Sequence, residues 1–189
     1  FIAEQSSLVR LQNEYLVEID WRGFELHPET PPGGRPIAER VSPARLPQLK
    51  QGLREFAASF DVNDLELRDH MPNTRRVLAI AEYARELGKL DTFRDAAMHA
   101  HWRDGKNLEH EQDLRAIALQ AGLDPDATLQ AMTAEPYLQR IDAIREEASQ
   151  IGVTGIPTFV AGQYGVVGCQ PYEVIVQMVE RAGGRRRGA

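Results

Sequence analysis

From about residue 42 to residue 150 apolar side chains recur every three or four positions, and that periodicity predicts a block of helices. Ser42 with Pro43 predicts a helix start, after which Leu46, Leu49, Leu53, Phe56 and Phe60 form a stripe expected to face a core. A second helix is expected from Thr74 through Val77, Ile80, Ala81, Ala84 and Leu87, stopping at Gly88, where a left-handed turn suits glycine. Asp91 is expected to cap a third, with Phe93, Ala97 and Ala100 ahead of Gly105. Residues 109–121 carry Leu114, Ile117, Ala118 and Ala121 before Gly122. Asp124-Pro125 opens a short helix, and Tyr137, Leu138, Ile141, Ile144 and Ala148 fill a longer one up to Gly152.

The ends read differently. Residues 1–13 place Ile2, Leu8, Val9 and Leu11 at mostly helical spacing. In "YLVEIDWRGFEL", Tyr15, Val17, Ile19 and Trp21 alternate with Leu16, Glu18, Asp20 and Arg22, the period of a strand with one buried face. "HPETPPGGRP" ends it, because four prolines and two glycines in ten residues continue neither helix nor ladder. After Gly152, "IPTFVAGQYGVVG" predicts two short strands joined by a glycine-containing turn, and "QPYEVIVQMVERAGG" a closing helix. No internal repeat is evident.

At 189 residues, 42% hydrophobic and 26% charged, the chain has the composition of a globular domain that can bury a sizeable core. Its net charge of -6 argues against nucleic acid and anionic membrane as partners, and no apolar run reaches membrane-spanning length. The tail "GGRRRGA", with Arg185, Arg186 and Arg187, reads as a solvated, partly disordered end. A single cysteine makes no internal disulfide, which fits a cytoplasmic protein.

Few side chains announce chemistry. Cys169, between Gly168 and Gln170-Pro171, reads as a small buried hydrophobe in preference to a reactive thiol. His99, His101 and His110 lie near Glu109 and Glu111, but positions two apart on a helix face different sides, so no metal centre is expected. His27 reads as a turn residue. Arg75-Arg76 and Glu146-Glu147 read as wet helix faces, and Trp21 and Trp102 as packed aromatics. No Ser/His/Asp arrangement or phosphate loop appears.

The most informative stretch is "GVTGIPTFVAGQYGVVGCQPYE". An X-Pro pair opening a hairpin between a helical block and a terminal helix is the layout of the second half of a thioredoxin fold. Together with "VEIDWRGFELHPETPPGG" and "MPNTRRVLAIAEYARELGK", it resembles the DsbA-like thioredoxin-fold family, most closely FrnE-type cytosolic members. The resemblance implies an α/β thioredoxin-like fold with a large all-helical insertion. Its parts would be residues 1–41 as the first half, 42–150 as the insertion, 151–184 as the second half and 185–189 as a basic tail.

In that family the proline is cis, so Gly155, Ile156, Pro157 and Thr158 would line the substrate, with Tyr164 in the nearby turn as a further contact. The family carries a Cys-Pro-X-Cys motif at the start of the first helix, and "FIA" resembles the residues that continue the helix after the second cysteine. The redox pair would then precede Phe1, with no catalytic residue within residues 1–189. The implied activity is exchange with a thiol- or disulfide-containing protein or small molecule, without a cofactor; a homodimer is left open. Two alternatives stand beside it. One is a glutathione-dependent isomerase or transferase of the kappa and chromene-carboxylate type, with serine in place of the first cysteine. The other is a redox-inactive module whose proline groove holds an extended peptide.

Overall fold

The computed structural model describes residues 5–188, apart from the side chain of Ser6; Phe1 and Ile2 lie outside the described residues. In chain order the elements are α1 (Gln5–Glu14), β1 (Arg35–Pro36), α2 (Leu46–Ala58), β2 (His70–Met71), α3 (Arg75–Glu86) and α4 (Leu90–Trp102). They continue with α5 (Glu111–Gln120), α6 (Pro125–Ala131), α7 (Glu135–Gln150), β3 (Thr158–Ala161), β4 (Tyr164–Val167) and α8 (Tyr172–Arg181). The chain divides into two compact units, residues 1–22 with 148–189, and residues 23–147.

In the unit of residues 23–147, α3 to α6 enclose a core that includes Val77, Ile80, Phe93, Leu114 and Ile117. The three-and-four spacing supplies the buried stripe, each such side chain contributing about 1.5–3 kcal/mol of burial. The expected stops are present: Gly88 and Gly122 take φ of +66° and +71°. Asp124 caps α6, accepting from the Ala127 N–H at 2.7 Å. Two starts differ from expectation. The Ser42 carbonyl accepts from the Arg45 and Leu46 N–H groups in a turn, so α2 begins at Leu46. Asp91 sits inside the first turn of α4, whose N-cap is Lys89.

Residues 23–41 group with the helices, and the contacts divide the chain at 22/23 where 41/42 had been expected. Polar anchors account for this. Glu109 accepts from the Gly33 N–H at 2.8 Å and the Asn73 N–H at 3.0 Å, and Asn73 Nδ2 donates to the Thr30 carbonyl at 2.6 Å. β1 and β2 pair antiparallel beside these anchors, Arg35 opposite Met71. Gly34, at φ +72°, lies so close to Met71 that a Cβ would stand 2.5 Å from its carbonyl oxygen.

The stripe on α2 departs most from expectation. Leu49, Leu53 and Phe56 are exposed, and Ala57 is the buried residue of that helix. Leu46 and Phe60 at its ends are half-buried, so the face that the periodicity assigned to a core is only partly covered.

In the other unit, Leu8, Leu11 and Tyr15 on and after α1 meet Ile175, Met178 and Val179 of α8. The alternation in residues 15–22 survives: Val17, Ile19 and Trp21 pack on this cluster, while Leu16, Glu18, Asp20 and Arg22 are exposed. The segment is nevertheless not a strand, because a strand needs a ladder partner. Among the described residues its pairing is one antiparallel bridge, Tyr15 with Arg186. That bridge corrects the expectation of partial disorder in the tail, which is exposed yet paired. The Leu16 N–H donates to the Arg185 carbonyl and the Arg187 N–H to the Glu14 carbonyl, each at 2.8 Å. β3 and β4 form the expected hairpin, Thr158 opposite Val167 and Ala161 opposite Tyr164.

Candidate functional site

Gly155, Ile156, Pro157 and Thr158 come together at the entrance to β3. Thr158 Oγ1 donates to the Gly155 carbonyl at 2.6 Å, and the Gly168 N–H donates to the Pro157 carbonyl at 2.7 Å. The Ile156–Pro157 peptide bond is cis. Between two occupied carbonyls, the N–H and C=O of Ile156 have no partner among the described residues, and the residue is 52% exposed. Exposed backbone groups of this kind are what an extended chain pairs with.

The hairpin fixes this ledge. Phe159, Ala161, Tyr164 and Val166 pack inward on the α8 cluster, so alternation turns Thr158, Val160 and Val167 to the opposite face. Val160 and Val167 are exposed, giving the ledge an apolar surround. Tyr164 lies on the inward side, its hydroxyl 3.3 Å from Gln163 Nε2, and packs locally. Phe1 is outside the described residues.

Cys169 is half-buried, not the fully buried hydrophobe expected, and carries no disulfide. It stands two residues before Pro171, the N-cap of α8. The histidines serve separate local contacts. His101 Nδ1 meets the Lys106 carbonyl at 3.3 Å with its ring edge-on to Trp102, and burial pushes its pKa down. His110 lies 3.7 Å from Asp113, and His27 lies 2.9 Å from Arg40. Among the described residues no three His, Cys, Asp or Glu side chains converge as metal ligands.

Two polar networks have no sequence signal, because their members are far apart along the chain. Tyr15 is fully buried; its hydroxyl donates to Glu180 at 2.5 Å and accepts from Arg186 Nε at 3.2 Å. The Glu180 hydrogen bond, aided by burial, raises the Tyr15 hydroxyl above its ordinary pKa. Beside it the Tyr172 hydroxyl donates to Glu14 at 3.0 Å, and Arg10 Nε donates to Glu14 at 2.7 Å while lying over the Tyr172 ring. The Arg10 and Tyr172 hydrogen bonds hold the Glu14 carboxyl below the usual range. This network ties α1, α8 and the tail together behind the hairpin.

The second network overturns the reading of Arg75 as part of a wet face. Its guanidinium forks onto Asp142 at 2.9 and 2.8 Å and reaches buried Glu25 at 3.2 Å, and Arg145 lies 3.5 Å from the same Glu25. Pairing with Asp142 raises the Arg75 pKa and lowers that of Asp142.

The model of the DSBA-like thioredoxin domain matches residues 2–180. The chain belongs to that family. Among solved structures, this DSBA-like chain is similar to a "probable DsbA oxidoreductase" from Streptomyces coelicolor. The two share 25% identity and a TM-score of 0.83 over 96% of this chain and 82% of that one. It also shares its fold with a 2-hydroxychromene-2-carboxylate isomerase, at 20% identity and a TM-score of 0.72 over 96% of this chain and 87% of the other. Uncharacterized protein YwbO of Bacillus subtilis is 22% identical over 167 residues, 86% of this chain and 81% of its own length. The fold class is therefore that of a DSBA-like thioredoxin domain with a helical insertion. No helix of the described residues is long and apolar enough to cross a membrane.

Proposed function

We propose that this DSBA-like protein catalyses thiol-disulfide exchange on an extended substrate held along Gly155, Ile156, Pro157 and Thr158. The observation that carries the reading is half-exposed Ile156, whose backbone N–H and C=O have no partner among the described residues, on a ledge of apolar side chains. Membership of the family supports the reaction class.

The chemistry needs two thiols, and residues 1–189 hold one cysteine, Cys169. The proposal therefore requires a Cys-X-X-Cys pair outside these residues, at a helix N-terminus, where unpaired N–H groups and the helix dipole favour a thiolate. That thiolate attacks one sulfur of a substrate disulfide, forming a mixed disulfide and releasing the other sulfur as a thiolate. The second cysteine attacks the mixed disulfide, releasing the remaining substrate thiol. Two electrons pass from the protein dithiol to the substrate, or in reverse when the protein begins oxidised. Cys169, half-buried beside Gly168, takes no part. A reducing cytoplasmic setting suits a fold without a structural disulfide.

The test is intact mass after reducing alkylation of the natural protein, followed by insulin reduction. Three alkylations and accelerated insulin precipitation are expected, and Cys169→Ser should take two alkylations with the acceleration unchanged. One alkylation and no acceleration overturns the reading, and activity that requires glutathione at a serine-bearing site would move the assignment to the isomerase class. Ile156→Lys should lower kcat/KM for insulin about tenfold while shifting stability by less than about 0.5 kcal/mol, since the side chain is exposed. An unchanged kcat/KM would remove the ledge from the mechanism.

A further inference from the structure

The end of α4 holds down the segment that leads from α2 to β2. Residues 62–68 form no regular element, yet Val62 and Leu67 are buried. The Glu66 N–H donates to the Trp102 carbonyl at 2.7 Å, Arg68 Nη1 donates to the Gly105 carbonyl, and Arg103 pairs with Asp64 at 2.9 Å. The approach is close, since Gly105 has a φ of +61° and a Cβ there would stand 3.0 Å from Glu66 Cγ. A segment docked by a few contacts, without a ladder or helix of its own, opens more easily than the core around it.

His101 is set into this contact. Its Nδ1 lies 3.3 Å from the Lys106 carbonyl, next in the chain to the carbonyl that Arg68 occupies, so an imidazole and a guanidinium share one short loop. The imidazole is half-buried, edge-on to Trp102 at 4.9 Å. Arg68 is half-buried too and has no ion-pair partner among the described residues. The carboxylates nearby are either exposed, as Asp64, Glu66 and Asp104 are, or already engaged. Asp113, at the start of α5, lies 3.6 Å from Lys106 and 3.7 Å from His110. Burial lowers the imidazole pKa, the Lys106 carbonyl raises it, and Arg68 is the charged group that adds to the lowering.

We infer that protonation of His101 is a switch that releases residues 62–68 from the end of α4. A second cation on the loop that holds Arg68 finds no free buried carboxylate, whereas undocking takes Arg68 away and opens the imidazole to water. The docked form therefore resists the proton, and the undocked form accepts it at the ordinary 6.5. The sign follows from linkage: docking is at full strength above 6.5 and weakens as pH falls toward the depressed docked value. Across that window the undocked fraction grows by up to about tenfold per pH unit.

Hydrogen exchange of the whole protein at about pH 7 and about pH 5.5, corrected for intrinsic rates, tests this, with urea well below the midpoint added in a parallel series. The Glu66 amide reports the segment. The Leu123 amide, which donates to the Ala118 carbonyl at 2.8 Å in the core, reports global unfolding. Glu66 should be less protected than Leu123 and insensitive to low urea, the marks of a local opening. Its protection should fall about three- to tenfold at the lower pH in wild type and stay level in His101→Gln. A Glu66 amide that exchanges only together with Leu123, at the same protection and urea dependence, overturns the inference. So does a protection that ignores pH, or a fall that persists in His101→Gln.

Discussion

His101, in the last turn of α4, holds its Nδ1 3.3 Å from the Lys106 carbonyl, and burial keeps its imidazole pKa below the ordinary 6.5. Below 6.5 the unfolded chain takes up a proton that the folded chain resists, so stability is full above that value and falls as pH drops toward the depressed folded value. Asp142 works in a lower window: held ionised by Arg75, it stabilises above the ordinary carboxylate range and loses its contribution as pH falls through its lowered pKa. The two residues can therefore be separated. Between about pH 7.5 and about pH 5.5, urea midpoints of wild type should fall while those of His101→Gln stay flatter, because carboxylates remain ionised there. Parallel slopes for both proteins would mean that His101 titrates normally.

At the scale of elements, the C-terminal tail behaves as a clasp. Arg185 and Arg187 commit backbone groups to Leu16 and Glu14, Arg187 Nε reaches the Gln12 carbonyl at 2.9 Å, and Arg186 meets the Tyr15 hydroxyl. Two backbone hydrogen bonds at about 1 kcal/mol each predict that ending the chain at Gly184 costs about 1–3 kcal/mol in urea denaturation. No loss would return the tail to the disordered end that its composition suggested. The reason the sequence misled here is physical. Three arginines after two glycines look like a disordered end by composition, and the partners that order them, Glu14 to Leu16, stand at the opposite end of the chain. The helices and the hairpin were legible because period and glycine stops are local, as at Gly88, Gly122 and Gly162. The segment of residues 15–22 was legible in its facing and not in its pairing, since alternation reports burial and a ladder depends on a second segment. Likewise the ledge at Ile156 could be read from "GIPT" in its setting, whereas Glu25, Arg75, Asp142 and Arg145 meet only after folding. The α2 stripe shows the limit of periodicity: it says that a face is apolar, and leaves open whether the chain itself covers it.

Across the whole molecule, the two units have separate cores. Every buried residue of the larger core lies between Val77 and Leu123, and the smaller one draws on α1, the hairpin and α8. The larger unit also closes its own ends. Glu25, near its start, and Asp142, near its finish, both pair with Arg75, and Arg145 pairs with the same two carboxylates, so chain entry and exit are pinned inside residues 23–147. Breaking one partner of such a network leaves a buried carboxylate uncompensated, which is why Arg75 matters more to the unit than any exposed pair. A fragment of residues 23–147 should consequently fold alone, giving a helical spectrum and one cooperative urea transition. Leu114→Ala should lower its stability by about 2–5 kcal/mol, through the cavity left at a fully buried site. A fragment that is unfolded would show that the core and its closing ion pairs are insufficient, and that residues 1–22 and 148–189 supply part of the stability of the helical unit.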